Sequence, residues 1–156
     1  FFPQLLELAD FAKAIPDLKI ILNHAGGVNR VGFYAGKEDE IICTWKKGIS
    51  EVSSCPNVYL KLGGLGMPRW GFGWYKRDLP VSSDELASSM APFMNYCIEQ
   101  FGPDRCMFES NFPPDKVSYS YNIMYNAFKK LSKDYSVVER ASMFHDTATK
   151  VYKIEV

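Results

Sequence analysis

The chain has 156 residues, its 18 Lys and Arg are balanced by 18 Asp and Glu, and 47% of it is hydrophobic and 15% aromatic. That much apolar surface supplies a packed core and excludes intrinsic disorder. A net charge of zero argues against nucleic acid or an anionic membrane as the main partner, and no window reaches the ~18 uninterrupted apolar residues of a membrane-spanning helix.

Phe1-Phe2-Pro3 leads straight into an amphipathic stretch, without the basic flank and apolar run of a signal peptide. From Gln4 to Ile15 the residues Leu5, Leu8, Ala9, Ala12 and Ile15 fall on one helical face, and Pro16-Asp17 stops that helix. A short apolar run, Leu18 to Leu22, then reads as a buried strand and leads into Asn23-His24-Ala25-Gly26-Gly27. The pattern repeats. A helix from about Glu38 to Ser53 is marked by Ile41, Ile42, Trp45, Ile49 and Val52; Cys55-Pro56-Asn57 breaks it; Val58 to Leu62 is a strand; Gly63-Gly64-Leu65-Gly66 leaves it. Ser82 and Glu85 form a capping box at the next helix start. Leu86, Met90, Phe93, Cys97 and Phe101 give that helix its apolar face, and Pro92 within it predicts a kink or two short helices. Gly102-Pro103-Asp104 closes it, Arg105 to Glu109 is a third strand, and Ser110-Asn111-Phe112-Pro113-Pro114 is its exit turn. Two helices end the chain, about Val117 to Leu131 and Ser136 through Tyr152, the second interrupted near Asp146.

Strands at about 18–23, 58–62 and 105–110 lie roughly 40 to 47 residues apart with helix between them. Parallel neighbours need helical crossovers where hairpins need only a few residues, so the class is α/β with a parallel sheet. The stretch from Gly63 to Pro92 is the one long excursion, and loops of that length in a compact domain are usually functional. Its residues Met67, Arg69, Trp70, Phe72, Trp74 and Tyr75 make either an aromatic lid over a pocket or a surface loop packed on neighbouring helices.

Cys43, Cys55, Cys97 and Cys106 are spaced 12, 42 and 9 apart. Without a C-x-x-C pair they read as small buried hydrophobes of a reducing compartment, which places the protein in the cytoplasm.

In parallel α/β folds ligands bind at the carboxyl ends of strands. Those ends present His24, then Lys61 with its glycine loop, then Glu109, Ser110 and Asn111. His24 follows a buried strand and precedes two glycines, which marks it as a site residue, whereas His145 lies in the terminal helical region and reads as structural. Gly26-Gly27 and Gly63-Gly64 lack the spacing of a phosphate loop and read as sharp turns that let backbone approach a substrate. Asp115 and Lys116, just past two prolines, are placed to reach the same rim.

Three segments carry a family resemblance. Pro16 to Gly27, with a P-x-L-K lead-in and an apolar strand ending in His-x-Gly-Gly, resembles the sixth strand of the amidohydrolase-related TIM-barrel hydrolases. Pro56 to Leu65 resembles the seventh, Arg105 to Pro113 the eighth, and Thr147 to Tyr152 the last helix beneath the barrel. The branch suggested contains lactonases of sugar acids and of pyrone dicarboxylate, with carboxylate-handling decarboxylases more distant.

The resemblance implies the C-terminal part of a (β/α)8 barrel, a single partial domain over residues 1–156. It implies a hydrolase of a lactone or cyclic ester of a small carboxylated substrate, with a decarboxylase of aromatic or muconate-type acids, or a non-catalytic self-associating half-barrel, as alternatives. His24 holds the place of the residue beside the substrate carbonyl or bound water. Asn111 stands where the family has an aspartate that orients water or binds metal; an amide neither takes the water's proton nor ligates well, so Glu109 or Asp115 stand as substitutes. Lys61, Arg69 and Trp70 are the expected substrate contacts with Asp115. No metal ligand is assigned here, and a divalent metal such as zinc is expected only of a full-length parent. With three strands of eight and a first residue that is not Met, the chain is expected to be a portion of a longer protein, silent alone, and to self-associate through open sheet edges.

Overall fold

The structure is a computed structural model that describes residues 1–155. Three strands, β1 (Ile20–Leu22), β2 (Val58–Leu62) and β3 (Cys106–Phe108), form one sheet in the order β1-β2-β3. Both pairings are parallel, with Ile21 opposite Tyr59 and Lys61 opposite Met107. Each strand is shorter than, or equal to, its expected span, because the flanking residues turn away into loops.

Among the described residues there are six α-helices: α1 (Leu5–Ala14), α2 (Glu38–Ser53), α3 (Ser83–Phe101), α4 (Tyr121–Leu131), α5 (Val137–Ala141) and α6 (Thr147–Tyr152). In α1, Leu5, Ala9 and Ala12 are buried at helical spacing. They meet α2, where Gly48 leaves room for the Leu5 side chain; a Cβ there would lie 2.5 Å from that of Leu5. Three acids in the first turn of α2, Glu38, Asp39 and Glu40, suit its positive end.

Pro92 does not break its helix: α3 runs unbroken from Ser83 to Phe101, capped by the Ser82 hydroxyl accepting from the Glu85 amide at 3.1 Å. Leu86, Ala87 and Met90 before the proline and Phe93, Met94, Cys97, Ile98 and Phe101 after it are all buried. One continuous apolar face docked on the core offsets the lost hydrogen bond. The helix expected from Val117 starts instead at Tyr121, because the Ser120 hydroxyl caps the Ile123 amide and a 3-10 turn occupies Pro114–Val117. The interruption expected near Asp146 is a π-helical turn, Ser142–Asp146, between α5 and α6.

Val58, Leu60 and Leu62 of β2 are fully buried in the core against the helices, and by strand alternation Tyr59 and Lys61 face the other way. Cys55, Cys97 and Cys106 are buried as expected; Cys43 is exposed on the polar face of α2, which corrects the reading of all four as core residues. Burial pushes the Cys97 and Cys106 thiols well above their usual range, so both are inert.

Candidate active site

All three strands end on the same side of the sheet, and the turns there carry most of the polar side chains that converge. The turn after β1 is tight: His24 and Ala25 have φ of 56° and 47°, and Gly26 and Gly27 continue in the left-handed region. The Trp45 indole of α2 donates to the Ala25 carbonyl at 2.7 Å and fixes this turn from below. The left-handed backbone points the His24 side chain across the sheet end rather than along it.

There it meets Glu109, one residue past β3. Glu109 Oε1 accepts from the His24 amide at 3.0 Å and lies 2.5 Å from His24 Nδ1, and Oε2 lies 3.7 Å from Lys61 Nζ. A carboxylate oxygen accepts, so this contact assigns an N–H to Nδ1 and leaves Nε2 as the ring nitrogen not engaged by Glu109. The pair is an imidazole oriented by a carboxylate, the arrangement that prepares a histidine for general acid–base work.

The exit loop of β2 separates this pair from a second carboxylate. Gly63 passes against the Glu109 side chain, and a Cβ on Gly64 would lie 2.6 Å from His24 Nδ1. A Cβ on Gly66 would lie 2.8 Å from the Tyr119 ring and 2.9 Å from Asp115. Three glycines therefore let the β2 exit loop pass between the Lys61–Glu109–His24 group on one side and Asp115 with Tyr119 on the other.

Asp115 is fully buried. This corrects the expectation that it reaches the rim: the 3-10 turn after Pro113 folds it inward. Its Oδ1 accepts from Asn111 Nδ2 at 2.7 Å and its Oδ2 from the Tyr119 hydroxyl at 2.7 Å. Burial raises its pKa above the ordinary 3.8, against the pull of those hydrogen bonds and of nearby His24. Burial beside that carboxylate also pushes the Tyr119 phenol far up. Asn111 itself is in the left-handed region, with φ of 48°, and its amide nitrogen is committed to Asp115, which turns the amide oxygen away from that carboxylate.

His24 and Asn111 do not cap neighbouring strands. They follow β1 and β3, with β2 between them, and each holds a different acid, Glu109 for His24 and Asp115 for Asn111. Lys61 joins the His24 group through Glu109. Arg69 stands beside Gly27, next to the His24 turn, with burial lowering its pKa. Trp70 is not at a rim: its ring is fully buried, edge-on to Phe93 at 5.2 Å. The long loop after β2 is thus packed down rather than held as a lid over its whole length. Tyr119 was not legible as a site residue, although its spacing of four from Asp115 is the signal that finds it once a helical turn is known to follow Pro113.

A zinc site takes three or four convergent His, Cys or carboxylate ligands. Among the described residues no group of three such side chains is placed to hold a metal ion; His24 Nδ1 is held by Glu109, and the eighth-strand position is an amide donating to Asp115. The residues of this chain do not by themselves fit that metal.

A parallel α/β sheet with its polar cluster at the carboxyl ends of the strands is the arrangement of a segment of a (β/α)8 barrel. A family model described as Amidohydrolase matches residues 1–154, and the chain belongs to that family. It is 36% identical over 155 residues to the uncharacterized protein y4mH of Sinorhizobium fredii, covering 99% of this chain and 45% of that protein. It is 24% identical to an L-fucono-1,5-lactonase of Burkholderia multivorans (92% of this chain, 49% of that protein) and 26% identical to an L-rhamnono-gamma-lactonase of Scheffersomyces stipitis (96% and 42%). The crystal structure of an amidohydrolase from Burkholderia multivorans with bound zinc superposes with a TM-score of 0.81 at 22% identity, over 99% of this chain and 51% of that one. The chain spans about half the length of the curated relatives it matches, and its fold is about half of an amidohydrolase TIM barrel.

Proposed function

We propose that this chain carries the C-terminal part of the active site of a hydrolase acting on a lactone or cyclic ester of a small carboxylated substrate. Family membership and two lactonase relatives support the class. The observation that carries the chemistry is the His24–Glu109 pair with Lys61 on the carboxylate's other oxygen. In this reading His24 Nε2 takes a proton from the attacking water, and Glu109 stabilises the imidazolium that results. Asn111, fixed by Asp115, accepts a hydrogen bond from the water or a substrate hydroxyl through its amide oxygen. Arg69 beside Gly27 and Lys61 pair with the substrate carboxylate. The chain is proposed to be silent alone and to be a homo-oligomer.

The test is hydrolysis of L-fucono-1,5-lactone and L-rhamnono-gamma-lactone by this chain complemented with the N-terminal half of the Sinorhizobium fredii relative. Turnover is expected on complementation, and His24→Ala and Glu109→Gln are each expected to lower it by about 10²- to 10⁴-fold, the usual share of positioned acid–base groups. Turnover that survives His24→Ala would remove the imidazole from the mechanism.

A further inference from the structure

A cavity of ≈ 600 Å³ lies between the loop after β2 and the exit turn of β3, with Tyr119 but neither His24 nor Glu109 in its lining. Its volume is that of a small-molecule site. Trp74, Tyr75, Phe112 and Tyr121 supply aromatic walls, and Tyr119, whose hydroxyl is tied to Asp115, lines it as well.

The polar groups of the lining are mostly already engaged. The Ser118 hydroxyl donates to the Gly66 carbonyl, the Ser120 hydroxyl caps the Ile123 amide, and the Tyr119 hydroxyl is held by Asp115. Arg77 is paired with Glu85 at 2.6 Å. Lys116, Asp78 and the Tyr75 hydroxyl are the lining groups without a partner among the described residues. What remains is apolar ring surface, with Tyr75 40% and Tyr121 50% exposed, and Lys116, whose ammonium has no ion pair or hydrogen bond among the described residues. Arg77 is taken by Glu85 and Asp78 is the one acid in the lining, so Lys116 is the cation left to meet a negative group on a ligand.

We infer that this cavity binds a planar aromatic monocarboxylate, its ring against Tyr75 and Tyr121 and its carboxylate on Lys116. Rings of this kind pack edge-on or offset against tyrosine, and a carboxylate on an ammonium makes a charge-assisted hydrogen bond. Neither His24 nor Glu109 lines this cavity, so the inference does not rest on what that pair catalyses.

The experiment is calorimetric titration of the 156-residue chain with benzoate, benzyl alcohol and D-gluconate. Benzoate is expected to bind saturably and about tenfold or more tighter than either alternative, the difference a charge-assisted hydrogen bond makes. Lys116→Gln, a change at an exposed position, is expected to bring benzoate down to the level of benzyl alcohol with the far-UV spectrum unchanged. Tyr75→Ala is expected to weaken both ring compounds, and His24→Ala to leave benzoate binding as it was. No saturable benzoate binding, gluconate binding as tightly, indifference to Lys116→Gln, or loss of binding in His24→Ala would each overturn the proposal.

Discussion

At the scale of single residues the site rests on two carboxylates that behave differently. Glu109 is held by a ring, an amide and an ammonium, whereas Asp115 is buried among groups that are mostly neutral. Because burial raises the folded-state pKa of Asp115 above 3.8, the folded chain binds that proton more tightly than the unfolded one. The stabilisation is complete below pH 3.8 and is lost as pH rises through the raised folded value. Urea melts of the protein and of Asp115→Asn from about pH 3 to about pH 7 are expected to show the native chain losing stability relative to the variant across that window, then running parallel. A constant difference would mean that Asp115 titrates normally. Gly64 is a second residue-scale test. Its φ of +73° and the 2.6 Å approach to His24 leave no room for a methyl group, so Gly64→Ala is expected to cost about 1–3 kcal/mol in denaturant melts. It is also expected to shift the His24 ring resonances.

At the scale of elements, side chains near the amino ends of strands tie the helices to the sheet. Asn57 Nδ2 donates to the carbonyls of Ala12, Ile15 and Leu18 at 3.1, 3.1 and 2.9 Å, closing the end of α1 onto the entry to β2. Arg105 does the same for β3, reaching the carbonyls of Ser53, Cys55 and Phe101. Asn57→Ala removes the amide that these three carbonyls share, two of them in exposed bonds, and a loss of about 0.5–1.5 kcal/mol is expected by urea denaturation, the usual net worth of such a hydrogen bond. Leu60→Ala, in the middle of the central strand and fully buried, is expected to cost about 2–5 kcal/mol by the same measure. Several element boundaries were legible because the sequence states them: Ser82 and Ser136 cap, Pro16 and Gly102 stop. The continuity of α3 through Pro92 was not, because the proline is a local signal and the buried face that overrides it is a tertiary one.

At the scale of the whole molecule, β1 and β3 each have one unpaired edge among the described residues. Exposed edges pair with other chains unless covered. Light scattering of the purified chain is expected to give a mass above 17.7 kDa, and a monodisperse monomer would show that loops and helices cover the edges adequately. The matched relatives are about twice as long, and the polar cluster at the strand ends opens on the side where a closed barrel places its substrate.

Periodicity and turn residues alone determined that three strands alternate with helices and run parallel, since spacings near forty residues leave no room for hairpins. They also determined that His24, Lys61 and Glu109 stand at strand ends, because those positions follow directly from where the apolar runs stop. Only the tertiary structure decided which of these groups touch. Sequence neighbours such as Glu109 and Asn111 are parted by the left-handed turn at Asn111, and residues 85 apart, His24 and Glu109, are joined. Pairing across a sheet depends on strand order and on the room that Gly63, Gly64 and Gly66 leave, and neither is written in any one segment of the chain.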